Sequence, residues 1–258
     1  MSTGDTSGDG TDDRAGRMST LRLLTFNALF KGDVSARLAA LGAILERAGH
    51  DVVCVQEVMY RRHAALLTRH FPHHRHDGGL LLKGGLVLLS RLPITEYRFV
   101  PYPRTGPARP EWLMRKGFQA ARIGGVLVVN THLSANRDGD HADSNRYTVA
   151  QRAELDHLAG WLHGTTGPLV VTGDLNIPRG KPALRDFLAG TGLHDVLAGD
   201  PRPTYRPTAR WPSPPAFDHV LVRGLRGHAD LTLQDPVTLP DGRSAFLSDH
   251  YGVAAELG

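Results

Sequence analysis

Short apolar runs alternate with stretches of helical periodicity from Leu21 onward. Leu21 to Phe26 predicts a strand. Behind a capping candidate at Asp33, the residues Val34, Leu38, Leu41, Ile44, Leu45 and Ala48 recur at helical spacing, and Gly49 stops the helix. Asp51 to Gln56 reads as a buried strand and Arg61 to His70 as a helix stopped by Pro72. Leu80 to Leu82 and Leu86 to Ser90 read as a hairpin turning at Gly84 and Gly85. Further strands are predicted near Ile94 to Val100, over Gly117 to Ile123 and over Val126 to Asn130. Ser144 to His163 carries Leu155, Leu158 and Leu162 on one helical face. Leu169 to Thr172 is another strand, and Phe217 to Val222 and Gly252 to Glu256 are the last two.

Strands cluster, helices are few, and hairpins stand beside βα steps. A doubly wound parallel sheet would alternate strictly. The pattern instead predicts an α/β (α+β) protein of two mixed, mainly antiparallel sheets packed face to face, with helices outside. Three long loops, Pro101 to Lys116, Ser134 to Asp143 and Pro201 to Ala216, join strand ends, where substrate contacts usually lie. Residues 1–19 are rich in Gly, Ser, Thr and Asp and lack apolar periodicity, so a disordered leader is expected there, with 20–258 as a single domain.

Composition narrows the classes. The 258 residues, 41% hydrophobic and 22% charged, are those of a soluble globular chain with a core of its own. Cys54 is the single cysteine, which excludes an intramolecular disulfide framework and a multi-cysteine zinc site. No run approaches about 18 apolar residues, so no transmembrane helix is expected. The leader has no apolar core of a secretory signal, and the cytoplasm is the expected compartment, with the chain a monomer. The formal charge is +4. Its cations are almost all arginine, whose planar fork suits phosphate and carboxylate partners, although codon composition produces the same skew. No run of five basic residues marks a nucleic-acid-binding tail. His70, His73, His74 and His76 lack carboxylate or cysteine company and read as surface.

Polar residues recur at the tips of the apolar strands. Thr25-Phe26-Asn27, Gln56-Glu57, Asn130-Thr131-His132 and Gly173-Asp174-Leu175-Asn176 close strands; Phe217-Asp218-His219 opens one, and Ser248-Asp249-His250 precedes the last. One such tip is ordinary turn chemistry, but six in order along a chain are not. The set has what metal-assisted phosphoester hydrolysis requires: hard oxygen ligands for Mg²⁺, a base for water, and donors for developing phosphoryl charge. Glu57, Asp174, Asp249, Asn27, Asn176, His132 and His250 together cover those roles.

Those segments, with Gln56-Glu57-Val58, Ser90-Arg91-Leu92-Pro93, Asn130-Thr131-His132-Leu133 and Phe217-Asp218-His219-Val220, resemble in order the motifs of the endonuclease/exonuclease/phosphatase superfamily over about residues 20 to 257. That superfamily is similar to pancreatic-type deoxyribonuclease and neutral sphingomyelinase. The resemblance implies a four-layer sandwich with the active site at one end of the two sheets. It implies Glu57 as the principal ligand of Mg²⁺ (or Mn²⁺), Asn27 placing metal or phosphate, and Asp249 near the metal. Asp174 would orient or activate the water, with Asn176 holding the phosphate beside it. His250 would act as base or phosphate-stabilising imidazole, oriented by Asp218, and His132 would stabilise phosphoryl oxygens or protonate the leaving group. Which of Asp174 and His250 takes the proton stays open. His219 and Cys54 are expected to be structural.

The histidine of Asn130-Thr131-His132 points within the superfamily toward the branch resembling deoxyribonucleases, sphingomyelinases and sugar- or lipid-phosphate phosphatases. Arg115-Lys116-Gly117-Phe118 resembles the sphingomyelinase-like bacterial members, and Arg115 and Lys116 are substrate-binding candidates. The expected reaction is hydrolysis of a phosphodiester or phosphomonoester of a small molecule or lipid headgroup. The alternative is a deoxyribonuclease-like endonuclease or exonuclease acting on DNA or RNA, for which Tyr102, Trp112, Tyr205 and Trp211 in the long loops offer stacking surfaces. Arg104 and Arg109, with Arg115 and Lys116, form a basic cluster in one loop, as an inositol polyphosphate would want.

Overall fold

In a computed structural model the described residues are 20–104 and 111–258. The expected leader, residues 1–19, lies outside them, as does Arg109. In chain order the elements are β1 (Leu21–Asn27), α1 (Val34–Ala48), β2 (Val52–Gln56), α2 (Arg61–Thr68), β3 (His73–Arg75), β4 (Val87–Ser90), β5 (Ile94–Pro101), α3 (Glu111–Met114), β6 (Gly117–Ile123), β7 (Val126–His132), α4 (Arg146–Leu162), β8 (Leu169–Asp174), α5 (Pro182–Thr191), β9 (His194–Asp195), β10 (Asp218–Arg223), β11 (Gly227–Thr232), β12 (Val237–Thr238), β13 (Ser244–Ala245) and β14 (Gly252–Leu257). Strands β12 and β13 pair with each other in a separate two-stranded sheet.

The long strands form two six-stranded mixed sheets, ordered β11-β14-β1-β2-β4-β3 and β5-β6-β7-β8-β10-β9. Strand alternation explains the layers. Leu21 and Leu23 of β1, Val52 and Cys54 of β2 and Leu88 of β4 meet Ala121, Val128, Val170, Val220 and Val222 of the second sheet, and this apolar layer joins the two sheets. The other face of the first sheet, with Leu24, Phe26, Val53 and Val55, packs on Leu38, Leu41 and Leu45 of α1 and Ala64 and Leu67 of α2. The other face of the second sheet packs on Leu155, Leu158 and Leu162 of α4 and Leu184 and Phe187 of α5. The sequence-predicted sandwich of two sheets with helices outside is therefore the observed one.

Several local expectations fail for identifiable reasons. Leu80–Leu82 does not pair with β4. Gly84 and Gly85 both take positive φ (64° and 65°), turning the chain so that Leu82 N–H donates to Met59 O at 2.9 Å. The strand beside β4 is β3, whose His73 and His74 belong to the histidine cluster expected at the surface; both are half-buried. Asp33 occupies the N-cap of α1, but its side chain makes no capping bond and instead accepts from Arg243 Nη1 at 2.7 Å. Helix α5, β9 and β11 to β13 are not among the predicted elements. Pro182 opens α5 and Gly192, at φ 67°, closes it, a punctuation that a ten-residue helix carries as plainly as a long one.

A polar seam crosses the inter-sheet layer beneath the strand tips. Gln56 Nε2 donates to Asn130 Oδ1 at 2.8 Å, and Asn130 Nδ2 donates to Gln119 Oε1 at 3.0 Å. Two of the motif residues, Gln56 and Asn130, are thus buried linkers between the sheets.

Candidate active site

The strand registers converge on Asp174. It is the last residue of β8, paired with His132 in parallel β7 and with Asp218 in antiparallel β10. Residues paired across a sheet point to one face, so the three side chains are neighbours by construction. Close approach at this end depends on Gly173. Its φ is 137°, and a Cβ there would lie 1.9 Å from Thr131 O. In the other sheet, Asn27 ends β1 opposite Gln56, and Glu57 follows at once with φ 63°. A glutamate in the left-handed region is a local strain of about 1–3 kcal/mol, of the kind held where function needs it.

Hydrogen bonds tie these tips together. Asn27 Nδ2 donates to Asp174 Oδ2 at 2.9 Å and to Glu57 Oε1 at 3.2 Å, while its Oδ1 accepts from Leu29 N–H at 3.0 Å. Asn27 therefore clamps two carboxylates with its amide nitrogen and turns its oxygen to the backbone. Glu57 Oε2 accepts from Phe30 N–H at 3.0 Å. Asp174 Oδ1 accepts from Asn176 N–H at 2.9 Å, and Asn176 Nδ2 donates to Leu133 O at 3.1 Å. Lys116 Nζ donates to the same carbonyl at 2.5 Å.

Two histidines flank Asp174 Oδ2: His132 Nε2 at 3.6 Å and His250 Nε2 at 3.8 Å. They differ in charge. Burial, then the Lys116 ammonium and His250, hold His132 well below the ordinary imidazole range, so it is neutral. For His250, burial alone would lower the pKa, but the Asp218 and Asp174 carboxylates prevail and hold it up at about 10. Its Nδ1–H donates to Asp218 Oδ2 at 2.8 Å. Asp174 is pushed up to about 6 by burial and by Asp218, against the pull of His250 and the Asn27 bond. A neutral imidazole, an imidazolium and a carboxylate that protonates near neutrality thus share one site, the separation of roles that acid–base chemistry needs.

These groups floor a cavity of about 670 Å³ lined by Glu57, Lys116, His132, Asp174, Asn176, Asp249 and His250. Asp249 is anchored by Tyr205, whose hydroxyl donates to its Oδ2 at 2.9 Å. Among the described residues the tightest group of potential metal ligands is Asp174, Asp218 and His250, within 4.8 Å of one another. His250, as an imidazolium, has no free lone pair, and Asp218 Oδ2 is bonded to it. Glu57 and Asp249 offer carboxylate oxygens with remaining lone pairs to the same cavity, a donor set that suits a hard divalent cation.

Nine of the ten sequence-predicted site residues therefore gather at this end of the sheets, with Asn27 and Asp218 supporting the lining residues from behind. Arg115 is the exception: it lines a separate cavity of about 220 Å³ with Arg104 and Trp112, bordered by Lys116. His219 is fully buried, bonded by Nδ1 to Asp195 Oδ2 and by Nε2 to Ile177 O, both at 3.0 Å, as expected of a structural residue. Tyr102 is buried too, its hydroxyl on Thr131 Oγ1 at 2.7 Å. Sequence reasoning missed Thr204, which bonds Asp218, and the apolar residues Phe30, Met59, Tyr60 and Leu81 at the cavity mouth. Nothing local marks Thr204, whereas the mouth residues directly follow two of the motif tips or fall in the misassigned hairpin.

Several solved structures resemble this one over nearly the whole chain. Sphingomyelinase C from Streptomyces griseocarneus is 22% identical, with a TM-score of 0.70 over 92% of this chain and 99% of that one. Staphylococcus aureus beta toxin with bound magnesium ions is 17% identical, with a TM-score of 0.72 over 92% and 99%. D. rerio TDP2 complexed with a single-strand DNA product is 16% identical, with a TM-score of 0.70 over 93% and 99%. No curated protein matches the chain by sequence. The sequence profile of the Endonuclease/Exonuclease/phosphatase family matches residues 24–250, the span that holds every strand tip described above. The chain belongs to the endonuclease/exonuclease/phosphatase family.

Proposed function

We propose that residues 20–258 are one catalytic domain that hydrolyses a phosphodiester in an amphiphile such as a lipid headgroup, with a divalent metal. The observation that carries the reaction is Asp174 Oδ2 held between neutral His132 and charged His250, with Asp218 behind His250. In this reading Asp174, protonating near pH 6, takes the proton of the attacking water. The His250 imidazolium faces the charge that grows on the phosphoryl oxygens, and Asp218 keeps its ring oriented. The neutral His132 donates an N–H hydrogen bond to the phosphoryl oxygens, and Asn176 and Lys116 hold the phosphate. The leaving oxygen takes its proton from solvent, while Asp174 later releases the one it took from water. Glu57 and Asp249 would hold Mg²⁺ or Mn²⁺, with Asn27 placing Glu57. When bound, such an ion supplies Lewis-acid stabilisation of the phosphoryl oxygens.

The cavity mouth supports the amphiphile. Among the described residues eight large hydrophobics are exposed: Phe30, Tyr60, Leu80, Leu81, Leu113, Val149, Trp211 and Phe246. Phe30, Tyr60 and Leu81 line the catalytic cavity. Leu80 and Leu113 adjoin lining residues in the chain, and the Trp211 ring lies 5.2 Å from that of Tyr205. Three of the eight thus line one opening and a fourth packs on its Tyr205, a cluster that supports a binding surface rather than scattered exposure. Lys31, Lys116 and Arg137 line the same cavity, matching an anionic group at the base of an apolar body.

The test compares headgroup release from sphingomyelin in mixed micelles with nicking of supercoiled plasmid, both with Mg²⁺, for wild type and Asp174→Asn. Micelle hydrolysis abolished by EDTA and by the substitution is expected. Plasmid nicking with untouched micelles would replace the amphiphile with DNA. Activity surviving both EDTA and Asp174→Asn would overturn the mechanism.

A further inference from the structure

The Asp218 carboxylate is fully buried, and one of its oxygens carries two bonds. Oδ2 accepts from His250 Nδ1–H at 2.8 Å and from Thr204 Oγ1–H at 2.6 Å, whereas Oδ1 has no partner. The direction of the threonine bond follows from its other contacts. Thr204 Oγ1 accepts the backbone N–H groups of Phe217 at 2.9 Å and Asp218 at 3.0 Å. A hydroxyl has two acceptor lone pairs and one proton, so the proton is left for Asp218. Thr204 is itself fully buried, and water does not compete for these bonds.

Thr204 also sits in a strap across the site. Its carbonyl accepts from Tyr251 N–H at 2.7 Å, and Arg206 N–H donates to Asp249 O at 2.7 Å. Between them, Tyr205 stands edge-on to the His250 ring at 5.0 Å. Residues 204–206 thus run antiparallel to residues 249–251 and touch Asp218, Asp249 and His250 at once.

We propose that Thr204 is a positioning residue of the hydrolytic site: its hydroxyl locks the Asp218 carboxylate in the rotamer that aims His250 at the reacting phosphoryl group. Two backbone N–H groups fix the hydroxyl, the hydroxyl fixes the carboxylate, and the carboxylate fixes the imidazole. A threonine that merely filled space would serve equally well as valine, which has the same shape. The kinetic arm of the test rests on the phosphoester-hydrolase reading; the spectroscopic arm needs no turnover.

The experiment compares Thr204→Val, which removes the hydroxyl, Thr204→Ser, which keeps it, and Thr204→Cys, which leaves a weak donor. The kinetic substrate is bis(p-nitrophenyl) phosphate with Mg²⁺. Thr204→Val should lower kcat on the order of 10- to 100-fold with little change in KM, as outer-shell partners of a site commonly do. Thr204→Ser should stay near wild type, and Thr204→Cys should fall between. In proton NMR the low-field His250 Nδ1–H resonance, assigned by its loss in His250→Ala, should persist in Thr204→Ser and move or vanish in Thr204→Val. In an Asp218→Asn background, Thr204→Val should add little further loss of kcat, because the route through Asp218 is already cut. Full additivity there would overturn the proposal. So would a valine variant that matches serine in kcat and in the resonance. If Thr204→Val does not fold, a cysteine variant equal to wild type in both readouts overturns it as well.

Discussion

Replacing Gly173 by alanine is a severe test of how the site is assembled. The added Cβ would meet Thr131 O at 1.9 Å and Thr131 C at 3.0 Å. Ordinary contact begins at 3.4 Å, so β7 and β8 would have to part by about 1.5 Å at that rung. The backbone also stands at φ 137°, where an L side chain is strained whatever the space. Strain of about 1–3 kcal/mol and overpacking of about 1–3 kcal/mol together give a loss of roughly 2–6 kcal/mol. At about 2–4 °C per kcal/mol for a domain of this size, the melting temperature should drop by roughly 5–20 °C. The next rung pairs His132 with Asp174, so the displacement passes directly to the proposed catalytic pair. A shift of about 1 Å in such a pair costs on the order of 100-fold in rate. Thermal unfolding followed by circular dichroism, with hydrolysis of bis(p-nitrophenyl) phosphate, measures both effects. Gly160→Ala is the control. It lies within α4 with nothing inside 4 Å of the new Cβ, and should stabilise by about 0.5–1 kcal/mol. A Gly173→Ala protein within about 1 kcal/mol of wild type and fully active would refute the close-approach argument.

Other outcomes follow from the same geometry. The folded pKa of His250, about 10, lies above its unfolded value near 6.5, so its stabilising contribution is complete below about pH 6.5 and disappears as pH rises through 10. Urea unfolding across that range should show wild type losing stability faster than Asp218→Asn, and parallel pH curves would refute the pairing. Arg37, only 6% exposed, donates to the carbonyls of Ala28, Leu29, Lys31 and Leu247. Arg37→Met should cost about 2–4 kcal/mol by orphaning those acceptors, read as a lower urea midpoint. Leu158→Ala, fully buried between α4 and the second sheet, should cost about 2–5 kcal/mol while activity per folded molecule is unchanged.

Legibility in the sequence followed the physics of burial. Strands β6 and β7 are short runs buried on both faces, helix α4 carries a helical apolar face, and the predicted bounds agree within a few residues. Leu80 to Leu82 misleads because its hydrophobic residues are not buried alike: Leu82 is 1% exposed but Leu81 is 43%. Leu80 is 77% exposed and belongs to no strand. Arg37 interrupts the apolar face of α1 three residues after Val34, a sign of a buried cation that serves loop carbonyls. The carboxylates and histidines of the site were legible because each ends or opens an apolar run, where a strand tip delivers it. Thr204 was not, because its role depends on a partner fourteen residues away and on hydrogen bonds that no local pattern encodes.

The place of β14 sets the order in which this protein is completed on the ribosome. It lies between β11 and β1, and its pairing with β1 matches Leu257 to Leu21. Chains emerge at about 5–20 residues per second, so β1 keeps one edge unpaired until the residues of β14, more than two hundred positions later, have emerged. That edge invites pairing with another nascent chain until Gly252–Leu257 arrives. Asp249 and His250 enter with the same segment. Closure of the sheet and completion of the proposed site therefore depend on one segment, and a translation product cut before Ser248 would leave the β1 edge unpaired and lack Asp249 and His250.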